Sequence, residues 1–152
     1  MYNVYVSGAL TNVDNLKRCQ ELYEEIGLLC QKLGLQAYIP HLHTDPINHP
    51  DISPYDVFKK DKYEISLSDL VIAYLGFPSV GVGMELAYAE VNKIPIIILY
   101  EESKQISRFP RGIPTVIAEI QFYDREDVLR KLNQVLVKWK IDMDMSVASK
   151  NT

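Results

Sequence analysis

Residues 69–100 read DLVIAYLGFPSVGVGMELAYAEVNKIPIIILY, in which two apolar runs flank a glycine-rich segment and a helical pattern. The runs from Asp69 to Leu75 and from Ile94 to Tyr100 are almost continuously apolar, which is typical of strands buried on both faces of a parallel sheet. The segment between them predicts a helix that begins near Gly83. This stretch is therefore a strand–helix–strand unit, the repeating element of doubly wound α/β folds.

The same alternation continues on both sides of this unit. The other predicted elements are a strand at 3–7, a helix at 12–33 that ends before Gly34, a strand at 35–39, a long loop at 40–53, a helix at 53–66, a strand at 115–123 and a helix at 124–140. Ser53, Pro54 and Asp56 match the cap, first position and third position of a helix. The sequence predicts a single-domain, Rossmann-like, doubly wound α/β sandwich with a five-stranded, mostly parallel sheet.

Composition narrows the classes of function. The chain has 152 residues, 47% of them hydrophobic and 24% charged, with a net charge of −4, as expected of one globular domain. The domain is predicted over residues 1–140, and residues 141–152 show no clear pattern and are predicted to be a flexible tail. No basic run could follow a phosphate backbone, so polymeric nucleic acid is not an expected partner.

Targeting signals and cysteine use predict a cytoplasmic protein. The first ten residues lack a basic, then apolar, signal pattern, and no window approaches the ~20 apolar residues that span a bilayer. We therefore expect neither export nor a membrane partner. Cys19 and Cys30 are the only cysteines and lie in one amphipathic helix, which indicates core thiols in a reducing compartment.

Glu85 is the most informative carboxylate of the sequence. Two glycines, Gly81 and Gly83, precede it, and the predicted helix start places it in the first turn. Unpaired N–H groups and the helix dipole there would keep it ionised, as a nucleophile must be. The alternative is that Glu85 only complements the helix terminus. The glycines match neither the dinucleotide fingerprint nor a P-loop, so no nucleotide cofactor is expected.

A second carboxylate would complete a site for glycosidic chemistry. Asp61 lies 24 residues before Glu85, and Asp69 begins the strand that leads toward it. One carboxylate can attack or stabilise the anomeric carbon while the other moves the proton. Each aspartate could instead be a solvated helix residue or a cap at a strand end.

The loop at 40–53 holds all three histidines, His41, His43 and His49, together with Asp45 and Asp51. Imidazole and carboxylate groups are common metal ligands, but this spacing matches no zinc signature. We therefore predict no metal here, and favour loop polarity or substrate contact.

Three motifs resemble the nucleoside 2-deoxyribosyltransferase superfamily, and in particular its 2′-deoxynucleoside 5′-phosphate N-hydrolases. They are VYVSGAL at 4–10, KKDKYEISLSDLVIAYL at 59–75 and PSVGVGMELAYA at 78–89, and the resemblance covers about Val4 to Lys140. It implies that Glu85 attacks C1′ of the sugar and that Asp61 assists departure of the base. It also implies that Tyr5 lies beside the nucleophile and that Asp69 supports the site.

The substrate is expected in loops beyond the carboxyl ends of the strands. The candidate contacts are Ser7 and Gly8 after the first strand, Ser79, Gly81 and Gly83 after the third, and Ser107 and Arg111 after the fourth. The resemblance implies that Ser79 and Ser107 bind a 5′-phosphate, with Ser107 reaching a neighbouring subunit. It therefore implies a homodimer or higher homo-oligomer with shared active sites.

The first loop departs from the hydrolase pattern, because Ala9 and Thr11 replace the serine and arginine found there. This weakens phosphate binding unless Arg108, Arg111 or the loop histidines compensate. The favoured function is hydrolysis of the N-glycosidic bond of a (deoxy)nucleoside 5′-monophosphate through a Glu85 glycosyl-enzyme, without any cofactor. The alternatives are base exchange between deoxynucleosides and, in another class, a nucleotide sensor without turnover.

Overall fold

The computed structural model describes residues 1–150 and contains one five-stranded sheet whose strands are all parallel. The strands are β1 (Asn3–Gly8), β2 (Gln36–Tyr38), β3 (Leu70–Tyr74), β4 (Ile96–Glu101) and β5 (Val116–Phe122), in the order β2-β1-β3-β4-β5. The helices are α1 (Leu16–Lys32), α2 (His41–Thr44), α3 (Pro54–Ser66), α4 (Val80–Val91), α5 (Arg108–Arg111) and α6 (Arg125–Lys150). This architecture confirms the predicted doubly wound α/β sandwich.

Two apolar layers hold the helices against the sheet. Helices α1 and α6 pack on one face, around residues such as Ile26, Ile72 and Leu132. Helices α3 and α4 pack on the other, around Ile65 and Leu86. Strands β3 and β4 lie between both layers, which is why their sequences are continuously apolar rather than alternating.

The strand order reverses direction between β1 and β3. From β1 the chain passes to β2 on one side, and it later returns to β3 on the other side. Ser7 and Gly8, at the end of β1, pair with Ala73 and Tyr74 of β3. In open α/β sheets the ligand cleft opens at such a reversal, beyond the carboxyl ends of the strands. A ligand cleft is therefore expected beside Ser7.

The predicted helix boundaries are confirmed where the sequence contains a recognisable capping serine or a glycine that follows a helix. The Ser53 hydroxyl accepts a hydrogen bond from the Asp56 amide at 3.1 Å, so α3 starts at Pro54 as predicted. Gly34 has a φ of +73° directly after α1, the left-handed conformation that glycine adopts without strain. The long loop that follows β2 also contains the short helix α2, which the sequence did not indicate.

The start of α4 corrects one prediction. The helix begins at Val80, three residues before the expected Gly83, because the Ser79 hydroxyl caps it by accepting from the Val82 amide. Gly81 and Gly83 therefore lie inside the helix rather than in a loop. As a result Glu85 is in the second turn, beyond the unpaired N–H groups of the first.

The end of α6 differs as well. This helix was expected to stop at Lys140 but continues to Lys150. The hydroxyl of Tyr2 donates to the Asp144 carboxylate at 2.9 Å, and its ring packs on Trp139 at 5.5 Å between centroids. Part of the predicted tail is thus helical, while residues 151 and 152 lie outside the described residues.

No helix within residues 1–150 is long and apolar enough to cross a membrane. Cys19 and Cys30 are both free and buried in α1, which confirms their prediction as core thiols.

Substituting alanine at Gly8 and at Gly83 should change the free energy of unfolding in opposite directions. A Cβ on Gly8 would lie 2.2 Å from the Tyr23 ring, whereas a Cβ on Gly83 would meet no atom within 4 Å. We expect Gly8→Ala to lower the free energy of unfolding by roughly 1–3 kcal/mol through overpacking. Gly83→Ala should raise it by up to about 1 kcal/mol, because alanine favours a helix more than glycine does. Denaturant titration of both variants measures the two shifts, and a stabilised Gly8→Ala would contradict the close approach of Tyr23.

Candidate active site

The Glu85 carboxylate is held by two hydroxyl groups from β1. The Tyr5 hydroxyl donates to Glu85 Oε1 at 2.8 Å, and the Ser7 hydroxyl donates to Oε2. Tyr5 and Ser7 are themselves fully buried in the sheet. Because a strand between two packed layers moves little, it fixes both oxygens of the carboxylate and leaves the side chain of Glu85 facing the cleft.

Burial raises the pKa of Glu85 to about 7, although the hydrogen bonds from Ser7 and Tyr5 oppose the shift. The negative charge of Asp61 adds to the rise. The sequence predicted a carboxylate kept ionised by a helix terminus. The structure instead shows one that loses hydration and is stabilised by side-chain donors. Such a group can still be ionised near neutral pH while remaining poorly solvated, which suits a nucleophile.

Asp61 lies across the same cleft, on α3. Burial raises its pKa to about 6, while hydrogen bonding from Tyr38 and Thr44 and the nearby charge of Lys60 lower it. The Tyr38 hydroxyl lies 3.4 Å from Asp61 Oδ1. A carboxyl group with a raised pKa is protonated for part of the time near pH 6, so it can deliver a proton and later accept one.

A pair of stacked tyrosines connects the two carboxylates. Tyr5 and Tyr38 are directly opposite each other in the β1–β2 pairing, and their rings stack at 5.5 Å. The hydroxyl of Tyr5 contacts Glu85, and that of Tyr38 contacts Asp61. The register of two neighbouring strands therefore helps to set the separation of the carboxylates.

The cleft itself has a volume of about 510 Å³ and runs between α3 and α4, with residues 44–52 forming one end. Asp61 and Glu85 are its acidic groups, and most of the wall is apolar, including Phe58, Met84 and Tyr88. This is the size and character of a site for a small molecule. The structure thus brings Tyr5, Ser7, Asp61 and Glu85 together, with Ser7 bonded to Glu85 and not free to contact substrate as the sequence had suggested.

Asp69 does not join this group. Its Oδ2 accepts the Asn3 amide at 2.8 Å, at the amino ends of β1 and β3. Ser7 lies four residue steps along β1 from Asn3, which is about 13 Å at ~3.3 Å per residue. Asp69 is therefore a cap at the opposite end of the strands, which is the alternative that the sequence analysis left open for it. This position does not favour a supporting role in the site.

The predicted loop contacts have mixed outcomes. Gly81 lines the cleft, and Gly83 leaves open space on the exposed side of α4. The Ser79 hydroxyl is used as the cap of α4, although it keeps its own proton to donate. Gly8 serves packing, because Tyr23 approaches it closely and donates to the Ala9 carbonyl at 3.1 Å.

Ser107 and Arg111 lie outside the cleft of their own chain. The Ser107 hydroxyl caps the short helix α5 by accepting from the Phe109 amide at 3.3 Å. Arg111 pairs with Glu119 of β5 at 2.8 Å, on the outer side of the sheet edge. Neither residue lines the cleft.

The three histidines do not form one cluster. His41 Nε2 lies 2.9 Å from a Glu24 oxygen, the ring of His43 stacks on Tyr38 at 4.7 Å, and only His49 lines the cleft. Among residues 1–150 no three His, Cys, Asp or Glu side chains converge in a way that could hold a metal ion.

Several wall residues were not predicted from the sequence. Phe58 and Lys62 come from the face of α3 that carries Asp61, and Met84 and Tyr88 from the face of α4 that carries Glu85. The Lys62 ammonium lies 4.8 Å from the centroid of the Tyr88 ring and so spans the cleft between the two helices. Helical spacing is the signal that could have identified them, because Phe58 and Tyr88 lie three residues from Asp61 and Glu85, and Lys62 and Met84 lie four residues from Phe58 and Tyr88.

Ser7 gives a test of how Glu85 is tuned. The Ser7 hydroxyl lowers the pKa of Glu85, so Ser7→Ala should raise that pKa and move the acid limb of the pH–rate profile upward. We expect kcat/KM to fall by about 10-fold below pH 7 and by less above it. Ser68→Ala is the matched control, because it removes another buried hydroxyl, one bonded to the Glu64 carbonyl. An unchanged acid limb in Ser7→Ala would contradict this role.

Comparison with known proteins places this geometry in context. No protein-family model matches the chain. A protein of Thermofilum pendens, provisionally named 2′-deoxynucleoside 5′-phosphate N-hydrolase 1, is 29% identical over 115 residues, or 71% of this chain and 80% of the relative. A protein of Methanosarcina mazei with the same provisional name is 24% identical over 132 residues, or 86% of this chain and 80% of the relative.

Solved structures share the fold at lower identity. The CMP N-glycosidase of Clostridium botulinum superposes with a TM-score of 0.68 and 21% identity, over 88% of this chain and 98% of that one. A 2-deoxyribosyltransferase of Bacillus psychrosaccharolyticus gives a TM-score of 0.60 and 18% identity, over 84% of this chain and 90% of that one.

The chain therefore shares its parallel α/β fold with these N-glycosidase and deoxyribosyltransferase structures, and it places two carboxylates, Asp61 and Glu85, in one cleft. These similarities support the resemblance of the chain's motifs to the nucleoside 2-deoxyribosyltransferase superfamily.

Proposed function

We propose that this enzyme hydrolyses the N-glycosidic bond of a (deoxy)nucleoside 5′-monophosphate, releasing the free base and the sugar 5-phosphate. The observation that carries the proposal is the Glu85 carboxylate, fixed by Tyr5 and Ser7 in the same cleft as Asp61. The names of the relatives, which include nucleotide N-hydrolases and a CMP N-glycosidase, support the same chemistry.

The proposed reaction is a double displacement. An oxygen of ionised Glu85 bonds to C1′ as the bond from C1′ to the base nitrogen breaks. The electron pair of the broken bond stays with the base. Protonated Asp61 gives its proton to the departing base. Asp61, now a carboxylate, then takes a proton from water, whose oxygen bonds to C1′ and releases Glu85. The enzyme returns to its starting protonation state.

The geometry suits a transition state with positive charge on the sugar. A fixed carboxylate beneath C1′ stabilises an oxocarbenium-like centre, and an apolar cleft strengthens that attraction by excluding water. A 2-deoxysugar lacks the electron-withdrawing 2-hydroxyl, so it reaches this state more easily. We therefore expect deoxyribose substrates to react faster than ribose substrates of the same base.

The proposed phosphate contacts begin at the N-terminus of α4. Ser79 and the first N–H groups of this helix are suitable donors, and Gly81 leaves their approach open. The remaining contacts would come from Ser107 and Arg111 of a second copy, in a homodimer or higher homo-oligomer with shared sites. The exposed ring of Phe109, next to Ser107, supports a partner surface there. A monomer in light scattering at working concentration would contradict the shared site.

The two free, buried cysteines support a reducing, cytoplasmic location for the enzyme.

Base exchange between deoxynucleosides is the second candidate function. It is favoured by the first loop, where buried Ala9 and exposed Thr11 stand in place of the serine and arginine of the hydrolases. A transferase would replace water by a second base in the step that releases Glu85.

One experiment separates these functions. The protein is incubated with each common nucleoside and 5′-monophosphate, in the ribo and deoxy forms, with and without a second free base, and products are separated by chromatography. Hydrolysis of monophosphates gives free base alone, whereas exchange gives a new nucleoside only when the second base is present. Nucleotide binding without any product would contradict both and favour a sensor.

A further inference from the structure

His49 lines the cleft but has no part in the reaction described above. Its side chain is 37% exposed, and its Nδ1 is buried with no hydrogen-bond partner among the described residues. That nitrogen lies 3.9 Å from Asp45 Oδ2. Because Nδ1 is buried, the exposed 37% of the side chain belongs to the other ring atoms, and Nε2 is the one nitrogen among them.

Asp45 is a fixed negative charge beneath this ring. It is 1% exposed, and its carboxylate accepts the amides of Ile47 and Asn48 and the Asn48 side chain, at 2.7, 2.9 and 2.6 Å. Burial alone would raise the pKa of Asp45, but these hydrogen bonds outweigh burial and hold it below its ordinary value. The His49 amide also donates to the Asp45 carbonyl at 2.9 Å, so backbone and carboxylate together define the position of the ring.

This arrangement selects a tautomer. A carboxylate beside Nδ1 favours the imidazole that carries its proton on Nδ1. Nε2 then has a free electron pair, which makes it a hydrogen-bond acceptor at the cleft surface.

The position of His49 indicates which part of a substrate it meets. Thr44, immediately before Asp45, lines the same cleft as Asp61 and lowers the pKa of that carboxyl group. Asp61 is the proposed proton donor to the departing base, so residues 44–52 border the half of the cleft that holds the base. His49 belongs to this border, on the α3 side of the cleft.

We propose that His49 selects the base of the substrate, its Nε2 accepting a hydrogen bond from the exocyclic amino group of cytosine or adenine. The proposal rests on the proposed function. In uracil or hypoxanthine a carbonyl oxygen takes the place of the amino group. Its lone pair would face the lone pair of Nε2, and two acceptors repel each other and form no hydrogen bond. The enzyme is therefore expected to prefer amino bases to keto bases.

The test compares pairs of substrates that differ only at this group, dCMP with dUMP and dAMP with dIMP. For wild type, kcat/KM should favour the amino member of at least one pair by about 10-fold to 100-fold, the effect of leaving one buried polar group unpaired. His49→Ala should bring that ratio close to one. His49→Gln keeps an acceptor oxygen and should retain part of the preference. Asp51→Asn, on the same loop but outside the cleft lining, is the control and should keep the wild-type ratio.

A second measurement does not depend on turnover. Calorimetry with Glu85→Gln, alone and combined with His49→Ala, gives the ratio of Kd values for the same nucleotide pairs. A ratio that falls on loss of His49 supports the proposal, even if wild type were to release no base and the proposed function failed. A ratio that His49→Ala leaves unchanged, a wild type that prefers keto bases, or no binding of either nucleotide would overturn it.

Discussion

Replacing Glu85 by Gln is expected to lower kcat for base release by about 10⁴-fold or more, the scale seen when a covalent nucleophile is removed. The amide keeps the shape of the side chain: its oxygen can accept a hydrogen bond from one of the Tyr5 and Ser7 hydroxyls, and its NH2 group can donate to the oxygen of the other. It cannot form the ester to C1′, so only transition-state binding by the rest of the cleft remains. Chromatographic detection of free base measures the loss.

Two controls separate chemistry from folding. Glu90→Gln changes another carboxylate of α4 outside the cleft lining and should retain wild-type activity. The raised pKa of Glu85 means that its ionisation is less favourable in the folded state, so the free energy of unfolding falls as pH rises from about 4.5 to about 7, and the loss is complete above pH 7. Glu85→Gln removes that cost and should melt no lower than wild type at about pH 8. Substantial base release by a well-folded Glu85→Gln would exclude Glu85 as the nucleophile.

Asp61→Asn is expected to reduce kcat/KM by about 10²-fold to 10⁴-fold, the contribution of a positioned general acid. The loss should depend on the leaving group, because Asp61 is proposed to protonate the departing base. Substrates whose base leaves without a proton should recover most of the wild-type rate, whereas ordinary nucleotides should not. An equal loss for both kinds of substrate would mean that Asp61 acts in binding rather than proton transfer.

The pH dependence adds an independent signature of the same pair. The reactive form has Glu85 ionised and Asp61 protonated, and burial raises the pKa values of these groups to about 7 and about 6. Activity therefore falls at low pH as Glu85 gains a proton and at high pH as Asp61 loses one. The profile of kcat/KM should be a narrow bell near pH 6 to 7, whose limbs belong to the coupled pair.

In Asp61→Asn the alkaline limb should disappear. The acid limb should move to lower pH, because the negative charge of Asp61 contributes to the raised pKa of Glu85. An alkaline limb that persists in Asp61→Asn would assign it to another group.

The sequence predicted the sheet well because burial on both faces leaves a pattern that does not depend on distant contacts. Continuous apolar runs located β3 and β4, and the Ser53 cap located α3. The start of α4 was missed because Gly81 and Gly83 are unfavourable in an isolated helix, whereas the Ser79 cap and the packing of this helix on the sheet outweigh that preference.

The parts that could not be predicted depend on contacts between residues far apart in the chain. The extension of α6 is held by Tyr2, 142 residues away from Asp144. Ser7 was expected to contact substrate, but the approach of α4 to β1 turns it toward Glu85. Asp69 was expected to support the site, because a carboxylate next to a strand can lie at either end of the sheet's strands. Only its hydrogen bond from Asn3 shows that it lies at the amino ends, away from the site.

The opposed placement of Tyr5 and Tyr38 in neighbouring strands has a consequence for how such an enzyme can diversify. The spacing of the two carboxylates depends on strand pairing, while the wall proposed to meet the base comes from residues 44–52, a segment that contributes no strand. Chemistry and selectivity are therefore encoded in separable parts of the chain. Exchanging this loop between relatives should transfer preference for a base without rebuilding the catalytic pair, which makes it a modular target for engineering.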